Sequence, residues 1–184
     1  MSPYILFSDA KPEGDPESLE KPTSDEWHLF MSAVGEAVAM WQLVEIAVIF
    51  LFLDAVKGTD KRATSAAFHS IAGFRNRLDM TDAALRQVIK EPSEIEEWEK
   101  TYKRLLKKSR RRNAIAHSVV GFDPKENAGK RLFLVDGLVD PKKNPVGAIA
   151  GGARIYRKEL LEMRDSFARV QTIALGFWAL AFRK

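Results

Sequence analysis

From Trp27 to Ala55, apolar residues recur at alternating steps of four and three: Trp27, Met31, Val34, Val38, Trp41, Val48, Phe52 and Ala55, with Glu45 the single polar member of the series. Such a rhythm holds one stripe on one side of an α-helix. Just before it, Thr23-Ser24-Asp25-Glu26 has capping-box spacing, Thr23 able to cap and Glu26 able to reach back, while Gly58 suits the left-handed residue that closes a helix. One helix is therefore predicted over residues 24–57, 34 residues and roughly 50 Å long at 1.5 Å per residue.

Three further helices are predicted. The stripe Ala67, Ile71, Phe74, Leu78, Thr81, Leu85 and Val88 ends where Glu91-Pro92 forbids continuation. A second capping box, Ser93-Glu94-Ile95-Glu96, opens the third helix, whose apolar face is Ile95, Trp98, Tyr102, Leu105 and Leu106. The last helix runs through Leu160, Met163, Phe167, Val170, Ala174, Phe177 and Ala181. Residues 119–155 interrupt the helical pattern with six of the eleven glycines and three prolines. Within them, residues 119–122 and 131–135 look like short strands around a polar turn. The fold class expected is all-α: an up-and-down four-helix bundle with a short β-hairpin-like insertion between the third and fourth helices.

At 184 residues the chain is about one domain's worth, so a separate cofactor fold is not expected. Zero cysteines exclude disulfides, thiolate metal sites and thiol catalysis, and fit a reducing compartment. The longest uninterrupted apolar run, residues 46–53, is eight residues, short of the ~20 a membrane span requires. The expectation is a cytoplasmic protein with no membrane partner. Gly151-Gly152 lacks the spacing and lysine of a phosphate loop, and three histidines without cysteine argue against a metal centre. His28 and His69 have no partner at helical spacing, so no cofactor or metal is expected.

Charge is distributed unevenly. Residues 1–23 hold Asp9, Glu13, Asp15, Glu17 and Glu20 against Lys11 and Lys21, with four prolines, and read as an acidic, flexible tail ahead of a helical domain over residues 24–184. Residues 98–131 carry eleven Lys and Arg against Glu99, Asp123 and Glu126, a surplus of +8 that attracts a polyanion. The RNA-binding candidates within it are Lys103, Arg104, Lys107, Lys108, Arg110 and Arg111.

The chemically distinctive stretch is Ser109-Arg110-Arg111-Arg112-Asn113-Ala114-Ile115-Ala116-His117-Ser118, at the end of the most basic helix. On a continuous helix Asn113 and His117, four apart, share a face, so the amide is able to hold the imidazole in one tautomer. Arg112 and His117, five apart, differ by about 140° of rotation, so a local bend or a second copy of the chain must bring them onto one phosphate. A histidine handles protons and an arginine holds phosphate oxygens, the two demands of metal-free RNA cleavage. Because one histidine cannot be base and acid at once, a homodimer is expected. Glu45, alone on an apolar stripe, needs a partner: a salt bridge to Arg75 or Arg77 fixing helix register, or a supporting role beside Arg112 and His117.

A compact four-helix bundle carrying this string at the end of its third helix resembles the HEPN superfamily. The family's signature is an arginine, four to six intervening residues often starting with a polar one, and a histidine; here it reads Arg112-Asn113-Ala114-Ile115-Ala116-His117. The resemblance covers residues 24–118 and 156–182. It implies a metal-independent endoribonuclease acting as a homodimer, with Arg112 and His117 as catalytic residues and Asn113 in support. It further implies a toxin or phage-defence effector, with an antitoxin, of nucleotidyltransferase type or another, as a partner. Some toxin members carry a tyrosine two residues after the histidine as a target for a modifying antitoxin; Val119 stands there in this chain. The alternative is a non-catalytic RNA- or nucleotide-binding, or helical protein-interaction, module built on the same basic helix, with Lys100 added to its contacts.

Overall fold

The computed structural model describes residues 6–7, 21–57, 60–136 and 154–182. In chain order these form β1 (Leu6–Phe7), α1 (Ser24–Val56), α2 (Lys61–Ser70), α3 (Phe74–Val88), α4 (Pro92–Ala116), β2 (Ser118–Phe122), β3 (Leu132–Asp136), β4 (Ile155–Tyr156) and α5 (Arg157–Phe182). The chain is mostly helical, with a small sheet whose β2, β3 and β4 fall between α4 and α5 and whose β1 precedes α1.

The capping box at the start of α1 forms as its spacing dictates. The Thr23 amide donates to the Glu26 carboxylate at 2.9 Å, and the Glu26 amide donates to the Thr23 hydroxyl at 3.2 Å. At the other end Lys57 takes the left-handed conformation, φ 49°, expected of Gly58, which lies outside the described residues.

The expected stripe is buried at Trp41, Val48, Phe52 and Ala55, but Met31 and Val38 are exposed while Phe30, Ala33 and Ala37 are buried. The steps of four and three average 3.5 residues per turn, whereas a straight helix needs 3.6 and drifts ~20° per heptad. Counting back from Trp41 at 3.6 moves the inward side from Val38 and Met31 to Ala37 and Phe30. Apolar residues on all sides hid that drift. The same composition makes α1 long and apolar enough to cross a membrane, although no uninterrupted apolar run has that length.

The second expected helix is two helices. Gly73, with φ 78°, precedes α3, and Ile71 in extended backbone closes α2. A positive φ is open to glycine at little cost and halts the helical pattern there. Asp60 caps α2 through the amides of Arg62 and Ala63 at 2.9 and 3.0 Å. The third expected helix, α4, starts at Pro92 rather than from a Ser93 cap; proline suits the first helical position, where no amide partner is required. Five helices therefore stand among the described residues where four were expected.

The chain divides into two compact units, residues 1–38 with 113–163 and residues 39–112 with 164–184, and α1, α4 and α5 each contribute to both. In the second unit, aromatic rings bind the helices together. Trp41 of α1 meets Phe74 of α3 at 4.8 Å and Phe167 of α5 at 5.2 Å, both edge-on. Phe52 packs on Phe68 of α2, and Trp98 of α4 packs on Phe177 of α5. The buried indoles of Trp98 and Trp41 donate to Asp82 and Glu45, each at 2.7 Å, and the half-buried Trp178 donates to Asp54 at 2.6 Å.

In the first unit, the strands run in the order β1-β2-β3-β4. β2 and β3 pair antiparallel with Gly121 opposite Phe133, the expected hairpin; β4 adds antiparallel to β3, and β1 pairs parallel to β2. Leu132, Phe133, Leu134 and Val135 are all buried, so β3 is covered on both faces. Arg154 closes this unit, its guanidinium 4.2 Å from the Phe133 ring centre and 3.1 Å from the Asp123 carboxylate. The hairpin-like segment's residues 137–153, and the acidic tail apart from Leu6–Phe7 and residues 21–23, lie outside the described residues.

Candidate RNA-processing site

α4 presents two faces. Its buried face is Trp98, Thr101, Leu105 and Ser109, then Ile115. Arg112, seven residues after Leu105 and three after Ser109, continues that stripe, and it is half-buried while Arg110 and Arg111 beside it are exposed. Position on the helix thus separates Arg112 from the other two arginines of the run.

Beyond Arg112 the helical bonding continues. The His117 amide donates to the Asn113 carbonyl at 3.0 Å, and the Ser118 hydroxyl bonds back to the Ala114 carbonyl. Asn113 and His117 are both exposed, one helical turn apart. Ile115, 6% exposed, anchors this turn, and β2 begins immediately after His117. No break in the helix precedes His117, so the local bend that would have turned it toward Arg112 is absent from α4.

Lys103, Arg104, Lys107, Arg110 and Arg111 are exposed along α4, and Lys108 is half-buried among them. Burial, and then the positive charges of Arg111, Lys107 and Arg169, hold the Lys108 ammonium below its usual lysine range. Lys100 is different: it pairs with Glu96 at 2.8 Å, one turn back on the same helix. Its positive charge is partly cancelled.

Glu45 has found the partner its position requires. Its carboxylate lies 3.0 Å from the Arg77 guanidinium and accepts the Trp41 indole proton at 2.7 Å. Both charged side chains are largely buried, so the salt bridge expected of Glu45 is made with Arg77. Arg75, the other candidate partner, reaches Asp79 at 3.7 Å instead.

His28 and His69 are exposed. Among the described residues no group of histidines and carboxylates is able to hold a metal ion. Sequence reasoning overlooked Arg169, whose charge reaches Lys108 from α5. Its only signal in the sequence was a basic residue on the polar side of the α5 stripe, two positions past Phe167.

With the electrostatics of α4 defined, the arrangement offers proton transfer at an exposed imidazole and phosphate binding along adjoining cations. Comparison with family models, with curated proteins and with solved structures returns no match.

Proposed function

We propose that this chain is a metal-independent endoribonuclease of HEPN type, cleaving RNA through Arg112 and His117 as a homodimer. The observation that carries the reading is the half-buried Arg112, set apart from two exposed arginines, one helical turn and a residue before an exposed histidine at the end of a basic helix. In a bundle reading, α2 and α3 count as one interrupted leg beside α1, α4 and α5.

In the reaction, the ribose 2′-oxygen attacks the adjacent phosphorus and gives up its proton, the bond from phosphorus to the 5′-oxygen breaks, and that oxygen takes a proton. His117 of one copy serves as base and His117 of the other as acid, each worth ~10²–10⁴ in rate. Arg112 holds the phosphoryl oxygens through parallel hydrogen bonds, a preorganised donor worth ~10²–10³. Asn113, one turn before His117, positions the imidazole. Because α4 continues helically to His117, Arg112 and His117 of one copy diverge by about 140°, which favours a site completed by a second copy. A cytoplasmic toxin or phage-defence effector restrained by an antitoxin is the role this chemistry suits.

The test is incubation of the purified chain with total RNA in excess chelator. Fragments ending in 2′,3′-cyclic phosphate are expected, lost in His117→Ala with helical circular dichroism retained. Mixing an excess of His117→Ala into the parent chain should lower the activity per parent chain, because each mixed dimer lacks either the base or the acid. Equal cleavage by His117→Ala refutes the assignment. DNA should resist, lacking the attacking hydroxyl.

A second reading, binding without cleavage, is favoured by one specific observation: Lys103, Arg104, Lys107, Arg110 and Arg111 are exposed cations that offer a polyanion a surface without Arg112 or His117. On that reading RNA binds with steep salt dependence and is recovered intact.

A further inference from the structure

The cation cluster on α4 does not end on α4. Trp98 and Phe177 pack ring on ring at 5.3 Å, joining α4 to α5 within one compact unit. Ten residues along α4 from Trp98 stands Lys108, and eight residues back along α5 from Phe177 stands Arg169. The two helices run antiparallel there, and the Arg169 charge acts on Lys108. Lys107 and Arg111 flank Lys108 on its own helix, three of the four cations being exposed and Lys108 half-buried.

Like charges gathered this closely repel one another, and the usual remedy is an interleaved carboxylate. Among the described residues no carboxylate forms a salt bridge with Lys107, Lys108, Arg111 or Arg169. Asp165, one turn before Arg169 and the nearest acidic residue on its helix, is held by Arg164 at 2.8 Å. Lys108 is also half-withdrawn from water, which weakens its hydration and leaves an anion more to gain there.

We propose that Lys107, Lys108, Arg111 and Arg169 form one phosphate-binding cluster spanning α4 and α5, which grips the backbone of single-stranded RNA outside the Arg112–His117 reaction centre. The proposal rests on the reading of this chain as an RNA-binding protein, and it adds a second helix and a defined phosphate position to that surface. Guanidinium groups from two helices bracket one phosphate, with Lys108 between them as a compact point charge. Recognition of this kind carries no base preference.

The experiment measures anisotropy of a fluorescein-labelled oligouridylate bound to the full chain carrying His117→Ala, across a salt series. Loss of one phosphate contact lowers the slope of log affinity against log salt by about 0.7 for a single strand. Arg169→Gln in that background should show this drop, with affinity several-fold weaker at low salt and an unchanged melting temperature. Arg62→Gln, the same charge change on α2, should leave the slope alone. Equal slopes for Arg169→Gln and Arg62→Gln overturn the cluster. If Lys103→Gln lowers the slope and Arg169→Gln does not, the RNA surface stands and its extension to α5 falls. If the His117-containing chain never cleaves RNA yet Arg169→Gln still lowers the slope, the cluster stands and the nuclease reading falls.

Discussion

Removing the Glu45 carboxylate exposes the energetics of the α1–α3 contact. In Glu45→Ala the Arg77 guanidinium, whose side chain is 17% exposed, loses its partner at 3.0 Å. Breaking a buried pair from one side costs ~3–5 kcal/mol, and the water that still reaches both groups sets the value at the lower end, about 3. The Trp41 indole, fully buried, loses its acceptor as well, for about 1 kcal/mol more. The total of about 4 kcal/mol is a large share of a typical 5–15 kcal/mol stability. With an m-value near 2 kcal/mol/M, the urea midpoint should fall by about 2 M. Glu45→Gln keeps an oxygen for Trp41 and should cost about 3 kcal/mol, separating the two contributions. Glu45→Met with Arg77→Met leaves no orphaned charge, so the double variant should lie within about 2 kcal/mol of the parent, far from the ~7 of additive losses. Unfolding curves read by circular dichroism decide it. A cost below about 1 kcal/mol for Glu45→Ala, or strict additivity in the double variant, refutes the reasoning.

Two further outcomes follow from other parts of the structure. A Cβ on Gly121 would collide with the buried Phe133 ring, so Gly121→Ala should destabilise the β2–β3 pair by about 1–3 kcal/mol, read as a lower melting temperature; an unchanged melting temperature counts against the strand register. Lys108 is held below its ordinary value of 10.5, so the folded chain bears a cost at neutral pH that is full below the lowered value and disappears as pH rises past 10.5. Lys108→Met should therefore be more stable than the parent at pH 7, with the gain shrinking toward pH 10.5. A less stable Lys108→Met at pH 7 would contradict this.

Glycine, proline and capping chemistry act over a few residues, and where they governed an element its limits were legible in the chain. Thr23 and Glu26 mark the start of α1, Glu91-Pro92 separates α3 from α4, and the strands after His117 lie within a residue of expectation. Gly73 shows the opposite case. An isolated glycine inside an unbroken apolar stripe carries no local sign that it will adopt φ 78°, so α2 and α3 read as one helix. The exposed Met31 and buried Ala33 share a cause: α1 is apolar on nearly every side, and only its neighbours select which side turns inward.

The candidate site divides in the same way. Arg112, Asn113 and His117 are neighbours along one helix, so their spacing, and the ~140° between the arginine and the histidine, were present in the order of residues alone. The need of Glu45 for a partner was equally readable, because a carboxylate within an apolar stripe has few alternatives. That the partner is Arg77 rather than Arg75, and that Arg169 acts on Lys108, depended on tertiary packing. Residues 61 positions apart meet when helices settle against one another. Periodicity states which face of a helix seeks company; the rotation and offset of the packed helices choose which charges that company brings.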